Sequence, residues 1–336
     1  MTLYEWVKAE LESGAFRSDS RLPDHADLGA EASDRWVPGA YESLLMRSTY
    51  SIRRHAFQNY LLARKVRKQA LKPSDKNCEK EEAALLKTGA LAVVDPVISF
   101  LHAMHTDKAA LRSEGLRLAT GTRKRELVKV GIALLGMWGD RGDPEQPAGP
   151  DANGDADKAS GDLDILLTLA RHEEFTFFCA PAVRSLAGAE NVNDLLLPLL
   201  DGLDGWGKTA ILYELNYDPL QTDEASGVNP ASEYLLRRGC FNRLGPEVNA
   251  NLCATKGGLA ARLKTLCESE ELPDAELYRG ICEIMWGLTS FSGVYDSLND
   301  YKHGHDARNL FKQLVETKPE LAELDPRGPE IIDRMR

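Results

Sequence analysis

The stretch LDILLTLARHEEFTFFCAPAVRSL (163–186) is followed by VNDLLLPLLDGLDGWGKTAILYEL (192–215), and together they decide the fold. Each reads as a short helix, a tight turn and a second helix, with an apolar stripe on both helices. Shifted by 29 residues, the two stretches match at seven apolar positions without a gap: Leu163 with Val192, Leu166 with Leu195, Leu167 with Leu196, Ala170 with Leu199, Ala182 with Ile211, Val183 with Leu212, and Leu186 with Leu215.

The segment before this repeat fits the same scheme. RELVKVGIALLGMWG (125–139) carries an apolar stripe, and residues 108–119 supply a partner helix. A helix pair of this length cannot bury its own apolar face, so stacking on its neighbours must do so. We therefore predict an all-α fold, an α-solenoid of stacked helix pairs of the HEAT or armadillo type. The alternative is a compact all-α bundle in which two helix pairs happen to align.

The same patterns divide the chain into three parts. Residues 1–75 are predicted to be an N-terminal cap, with helices at 2–13 and 40–72 around a weakly structured polar loop from Gly14 to Pro38. Residues 76–318 are predicted to be the solenoid, interrupted by an acidic insertion at 140–160, and 319–336 a C-terminal tail. Further helices are expected at 84–105, 230–238, 246–254, 257–268, 274–288 and 304–316.

Composition restricts the class of protein. The 336 residues carry 41 Lys and Arg against 52 Asp and Glu, a formal charge of −11, which disfavours nucleic acid as the partner of the whole molecule. Six cysteines form no CxxC pair and are interpreted as reduced, mostly buried residues. The N-terminus lacks the apolar core of a signal peptide, and no apolar run approaches the ~18 residues of a membrane span. The sequence predicts a cytoplasmic protein that does not bind membranes.

Five motifs together resemble a known family: RWVPGAYESLLM (35–46), RELVKVGIALLG (125–136), LARHEEFTFFCAPAV (169–183), GWGKTAILYELN (205–216) and YLLRRGCFNRL (234–244). They are similar to those of a bacterial family of HEAT-like repeat proteins whose members are often labelled limonene hydroxylase. The resemblance implies an α-solenoid, and the label implies an oxygenase that acts on a terpene. The family has no defined catalytic set, so no functional residue is carried over.

The residues offer little support for oxygen chemistry, which needs a redox cofactor. Cys179, Cys253 and Cys282 sit in apolar helix stripes and are interpreted as core residues rather than haem ligands. No GxGxxG motif follows a strand. The nearest candidates for a non-haem iron site are His172 with Glu174, plus a distant His303 or His305. His102 and His105 could share a helix face, but these two ligands lack a third. No cofactor is predicted.

The acidic insertion contains a calcium-like pattern. Oxygen-bearing side chains occupy positions 1, 3, 5, 7 and 12 of the loop DANGDADKASGD: Asp151, Asn153, Asp155, Asp157 and Asp162. However, position 6 is Ala156 where the sharp turn requires glycine, and Asp162 replaces the bidentate Glu. A surface insertion without a metal is the competing interpretation.

A basic segment lies near the N-terminus. Between Ser43 and Ser74 there are eight cations and no acid: Arg47, Arg53, Arg54, Arg64, Lys65, Arg67, Lys68 and Lys72. On a helix, Arg64, Lys68 and Lys72 line one face, and Phe57, Tyr60, Leu61 and Leu71 are expected to turn inward. This face is either solvated, neutralised within the chain, or a docking site for an acidic partner. Arg123, Lys124 and Arg125 open another helix, where cations oppose the dipole unless an anion sits there.

The sequence favours a non-enzymatic interaction protein that binds an unidentified protein partner. The predicted partner-binding residues are Arg53, Arg54, Arg64, Lys65, Lys68 and Lys72. The alternatives are the terpene hydroxylase that the family label implies and a nucleic-acid-binding HEAT-like protein.

Overall fold

The computed structural model describes residues 1–14, 16–28, 37–40, 56–140, 161–220, 228–290 and 295–335. Every regular element in these ranges is helical, which confirms the all-α prediction for them. In the same ranges, no helix combines the length and apolar character that crossing a bilayer requires. The contacts divide the chain into two compact units, unit 1 (Met1–Glu214) and unit 2 (Leu215–Arg336).

Unit 1 contains ten described α-helices. Their bounds are α1 Leu3–Ser13, α2 Ala56–Leu71, α3 Asp75–Thr88, α4 Ala90–Ala103, α5 Lys108–Gly121, α6 Arg125–Trp138, α7 Gly161–Ala170, α8 Glu173–Ala187, α9 Val192–Leu196 and α10 Trp206–Glu214. A 3-10 helix at Pro23–Leu28 follows α1, and a second one at Leu197–Gly202 extends α9. The prediction of one continuous helix at 84–105 is wrong, because two helices, α3 and α4, cover this range. Gly89, with φ of 80°, separates α3 from α4, and a residue with a side chain would be strained there.

Alternate helices of unit 1 pack side by side in chain order. Helix α4 lies against α6, α6 against α8, and α8 against α10, while α5 pairs with α6 and α7 with α8. Two glycines allow the close approach of α6 to its neighbours. A Cβ atom on Gly131 would lie 2.4 Å from the backbone nitrogen of Ala119, and one on Gly136 would lie 2.6 Å from the Cβ atom of Ala182. The sequence therefore has glycine at the two positions where a side chain would prevent these helix contacts.

The two repeat stretches form helix–turn–helix units, as predicted. Helices α7 and α8 make the first unit, and α9 with its 3-10 extension and α10 make the second. None of the matched apolar side chains is exposed, and most are buried. The matched positions of the two repeat units are therefore those at which apolar side chains are removed from solvent.

The polar segment after α1 is more ordered than expected. Leu22 and Asp24 are buried in the described part of Gly14–Pro38, and the 3-10 helix Pro23–Leu28 lies there. Helix α1 packs against α5 and α7. The first 28 residues, predicted as part of a cap, therefore run along other helices of unit 1. The compact units divide at Glu214, whereas the domain boundaries near residues 75 and 318 stay predictions.

The inward face of α2 also differs from the expected one. Asn59, Leu62, Ala63, Val66 and Gln69 are the buried residues of this helix. Four apolar side chains expected to turn inward are instead exposed by 36% or more: Phe57, Tyr60, Leu61 and Leu71. The physical reason is that apolar residues occur on both faces of α2, and the compact Leu62, Ala63 and Val66 fill the interface with its neighbours.

Unit 2 has its own helical core. Its α-helices are α11 Pro230–Tyr234, α12 Ala250–Lys256, α13 Leu259–Glu268, α14 Ala275–Thr289, α15 Gly304–Thr317, α16 Leu321–Leu324 and α17 Gly328–Arg334. A π-helical turn at Leu235–Gly239 continues α11, and Pro246–Val248 forms a 3-10 turn. Helix α14 packs against the π-helical turn, α12 and α17. The segment 319–336, predicted as a tail, forms two short helices whose Leu321 and Ile331 are buried.

Candidate functional site

The exposed side of α2 combines cations with apolar groups. Arg64, Lys65, Lys68 and Lys72 are all exposed, and no described carboxylate forms an ion pair with any of them. We call these four residues the basic face. The interpretation that the face is neutralised within the chain therefore finds no support among the described residues. Arg53 and Arg54 lie outside the described residues.

Aromatic side chains lie beside the basic face. Phe57 is 72% exposed, and the guanidinium of Arg64 lies 5.9 Å from the ring centroid of Tyr60. The Tyr60 ring in turn meets Phe100 of α4 edge-on, with centroids 5.7 Å apart. This surface can therefore offer a partner both charge and apolar area.

A second candidate site is a cavity of about 580 Å³ on α4, α6, α8 and α10, which we call the groove. Its walls are mostly apolar, and α4 contributes Leu91, Val94 and Ile98 along one stripe. Further apolar residues come from the other three helices: Ala133, Gly136 and Met137 of α6, Phe177, Phe178, Pro181 and Ala182 of α8, and Ala210 and Tyr213 of α10. Met137 and Tyr213 remain 47% and 54% exposed, so the groove opens to solvent.

The polar groups of the groove are few. Among the described lining residues they are the hydroxyls of Ser185, Thr209 and Tyr213 and the two acids Asp95 and Glu214. Burial raises the pKa of the Glu214 carboxyl, and the nearby Arg184 partly offsets that effect. The Nη1 atom of Arg184 donates a hydrogen bond to the backbone oxygen of Glu214 at 2.5 Å.

The anion that the basic start of α6 requires is supplied by the chain itself. The Asp24 carboxylate accepts a hydrogen bond from the backbone nitrogen of Arg125 at 2.8 Å and another from its Nη2 atom at 2.8 Å. A carboxylate in this place interacts favourably with the helix dipole. The site is therefore a buried internal ion pair, which the sequence alone did not reveal because 101 residues separate the partners.

The ion pair continues into a buried network. Glu174 accepts a hydrogen bond from Lys129 Nζ at 2.7 Å and lies 3.4 Å from Arg125 Nη1. Burial alone would raise the pKa of Glu174, but Lys129 and Arg125 hold it below the ordinary value. Glu126 also accepts from Lys129, at 3.1 Å. Such a network stabilises the junction of α6 and α8 as long as each charge keeps its partner.

His172, a candidate iron ligand, has a structural role. It is the N-cap of α8, where its Nδ1 atom accepts a hydrogen bond from the backbone nitrogen of Glu174 at 3.2 Å. Its Nε2 atom lies 2.8 Å from the carbonyl oxygen of Ser20 and therefore carries the proton. Burial lowers the pKa of the ring to about 4, so it is neutral at pH 7. With both nitrogens engaged, the ring has no free atom for a metal.

The other proposed metal ligands do not converge. Within the described ranges, no three His, Cys, Asp or Glu side chains are placed to hold a metal ion. His102 and His105 are exposed at the end of α4. Of the calcium-like loop, Asp151, Asn153, Asp155 and Asp157 lie outside the described residues. Asp162 is buried and accepts hydrogen bonds from Arg112 at 2.6 and 3.1 Å.

A carboxyl cluster on α3 and α5 was not predicted. Arg117 donates hydrogen bonds to Glu81 at 2.9 Å, Glu82 at 2.6 Å and Glu114 at 2.6 Å. Burial, reinforced by repulsion from Glu114, raises the pKa of Glu81 to about 9. One proton is therefore retained in this cluster at neutral pH. Helical spacing alone could have suggested the pair Glu114–Arg117, but not its union with α3.

The described part of the chain thus has two surfaces open to a partner or ligand, the basic face and the groove. The core cysteines behave as expected. Cys179, Cys253 and Cys282 are buried, and burial raises the pKa of Cys282 to about 12. Comparison of the chain with protein-family models, curated proteins and solved structures gave no match.

Proposed function

We propose that the protein is a non-enzymatic helical-repeat protein that acts as a scaffold for a protein partner, and that its helix pairs form a HEAT-like α-solenoid. The chain-order packing of α4, α6, α8 and α10 supports the solenoid, because stacked repeats contact mainly their neighbours. The basic face is the partner-binding surface.

The observation that carries this proposal is the exposed side of α2. Four cations without a described carboxylate partner lie beside Phe57, Tyr60 and Leu61, which are exposed by 72%, 36% and 38%. An acidic protein surface with an apolar centre would complement both features, since buried aromatic anchors and a charged rim are typical of protein interfaces. The net charge of −11 makes this basic side stand apart from the rest of the chain.

A photo-crosslinking amino acid at Phe57 tests the proposal in the cells that produce the protein. We expect a discrete adduct with an acidic protein, identified by mass spectrometry. The triple variant Arg64→Glu, Lys68→Glu, Lys72→Glu should reduce the adduct at least ~10-fold, because each reversal turns attraction into repulsion. Circular dichroism should show that this variant remains folded.

The matched control reverses three exposed cations of α3, as Lys76→Glu, Lys80→Glu and Lys87→Glu. It has the same change of net charge, so it should leave the adduct intact if the basic face is specific. Equal loss in both triple variants would contradict the proposal. An adduct that disappears on nuclease treatment would favour the nucleic-acid alternative. The hydroxylase activity remains a prediction that only the family resemblance implies.

A further inference from the structure

We propose that the groove binds a small apolar organic cation, such as a protonated alkyl or aryl amine. The groove lies on α4, α6, α8 and α10, whereas the basic face lies on α2, so this inference does not rest on the proposed scaffold function. Its cavity of about 580 Å³ falls within the ~300–1,000 Å³ that small-molecule sites occupy.

The charge of the groove selects a cation. Among the described residues, its acidic lining residues are Asp95, from the first of the four helices, and Glu214, from the last, and no described Lys, Arg or His lines it. Arg184 attracts the Glu214 carboxylate, and its Nη1 atom donates a hydrogen bond to the backbone oxygen of the same residue. A bound ammonium group would supply the donor that a half-buried carboxylate lacks.

A second cation near the groove wall already has anionic partners of its own. The Nζ atom of Lys129 lies 5.9 Å from the ring centroid of Phe178, a lining residue. Lys129 is itself buried and donates to Glu174 and Glu126, at 2.7 and 3.1 Å. Its charge is therefore balanced by the carboxylates of Glu174 and Glu126 rather than by the two acids of the groove.

The aromatic residues fit the same ligand. Phe177 and Phe178 meet edge-to-face with centroids 5.4 Å apart, and Tyr213 contributes a third ring that is 54% exposed. Aromatic faces attract ammonium groups and also cover apolar chains. An apolar body with one positive charge satisfies the walls, the rings and the acids together, whereas an anion would meet two carboxylates.

Three probes with one apolar body separate these effects. They are 4-phenylbutylamine, 4-phenylbutan-1-ol and 4-phenylbutanoate, titrated into the full chain by calorimetry at pH 7. We expect the amine to bind at least ~10-fold more tightly than the alcohol and the carboxylate to bind most weakly. No binding of any probe at millimolar concentration, or affinities that do not depend on charge, would overturn the proposal.

Two variants locate the binding. The double variant Asp95→Asn, Glu214→Gln should reduce the affinity for the amine about 10-fold and leave that for the alcohol unchanged. Ala210→Trp should fill the groove and abolish binding of all three probes. If the double variant binds the amine as tightly as the native protein, the acids play no part and the inference fails. The charge-reversed basic face should bind the amine normally, so this test and that of the scaffold function can fail separately.

Discussion

Replacement of His172 by asparagine tests the buried N-cap of α8. Asparagine is a good N-cap residue whose side-chain oxygen can accept the hydrogen bond from Glu174, but it does not titrate. The native ring, by contrast, takes up a proton near pH 6.5 when the chain is unfolded and near pH 4 when it is folded. Between these values the unfolded state binds more protons, so the free energy of unfolding decreases as the pH falls.

The size of the effect follows from these pKa values. At pH 5 the unfolded ring is almost fully protonated while the folded ring is still neutral, and at pH 7.5 both are neutral. Each pKa unit corresponds to about 1.4 kcal/mol, so His172 should remove about 2 kcal/mol of stability over this interval. Glu174 has a pKa below the ordinary value and stays ionised throughout, so it adds little to the change.

Urea unfolding followed by circular dichroism at pH 7.5, 6.5, 5.5 and 5 measures the effect. His172→Asn should be less stable than the native protein at pH 7.5, because it loses the bond to Ser20. That gap should shrink by about 2 kcal/mol at pH 5. His102→Asn, a change at an exposed histidine, is the control and should leave the free energy of unfolding at pH 7.5 within ~0.5 kcal/mol of the native value. A gap between His172→Asn and native protein that stays constant with pH would refute the account of a neutral buried ring.

Two further changes test the other buried charges. Glu81→Gln keeps a neutral side chain at every pH. The native Glu81 has a pKa of 4.5 when unfolded and about 9 when folded. Its contribution to the free energy of unfolding is therefore fully present below pH 4.5 and is lost as the pH rises through about 9. Thermal melts from pH 5 to 9 should show the native protein losing at least ~1 kcal/mol relative to this variant, and parallel profiles would contradict the raised pKa. Arg125→Ala leaves the buried Asp24 without its guanidinium partner and should cost about 3–5 kcal/mol of unfolding free energy by urea titration. The exposed Arg123→Ala should cost less than ~0.5 kcal/mol, and equal losses would show that the ion pair does not stabilise the fold.

Helices were predictable where the apolar period is local and consistent. The repeat at 163–215 gave both helix pairs, because each apolar stripe faces one neighbouring layer. On α2 the helix was predicted but its orientation was not. Leu62 and Val66 point inward while Phe57 and Leu61 point outward, so hydropathy alone could not choose the buried face.

The candidate sites were predictable to a smaller extent. The basic face could be recognised because its cations are close in sequence and no acid interrupts them. The groove could not, since Asp95 and Glu214 are ordinary residues of two distant helices and only the packing of four helices brings a cavity between them. The partner of Arg125 was also not predictable. The cations at the start of α6 suggested a bound anion from outside the chain, but the carboxylate of Asp24 lies there.

The segment that joins α1 to the rest of unit 1 has a consequence for synthesis on the ribosome. Ser18 and Ser20 offer their carbonyl oxygens to the backbone nitrogen of Glu173 and the ring of His172, and Asp24 binds Arg125. These partners are made 101 to 155 residues later, so this segment must remain without them while several helices are translated. In a simple repeat array each new repeat can settle on the one before it. Here the order of synthesis and the order of folding differ, because Ser18, Ser20 and Asp24 are made before α6 and α8 but can form these contacts only after both helices exist.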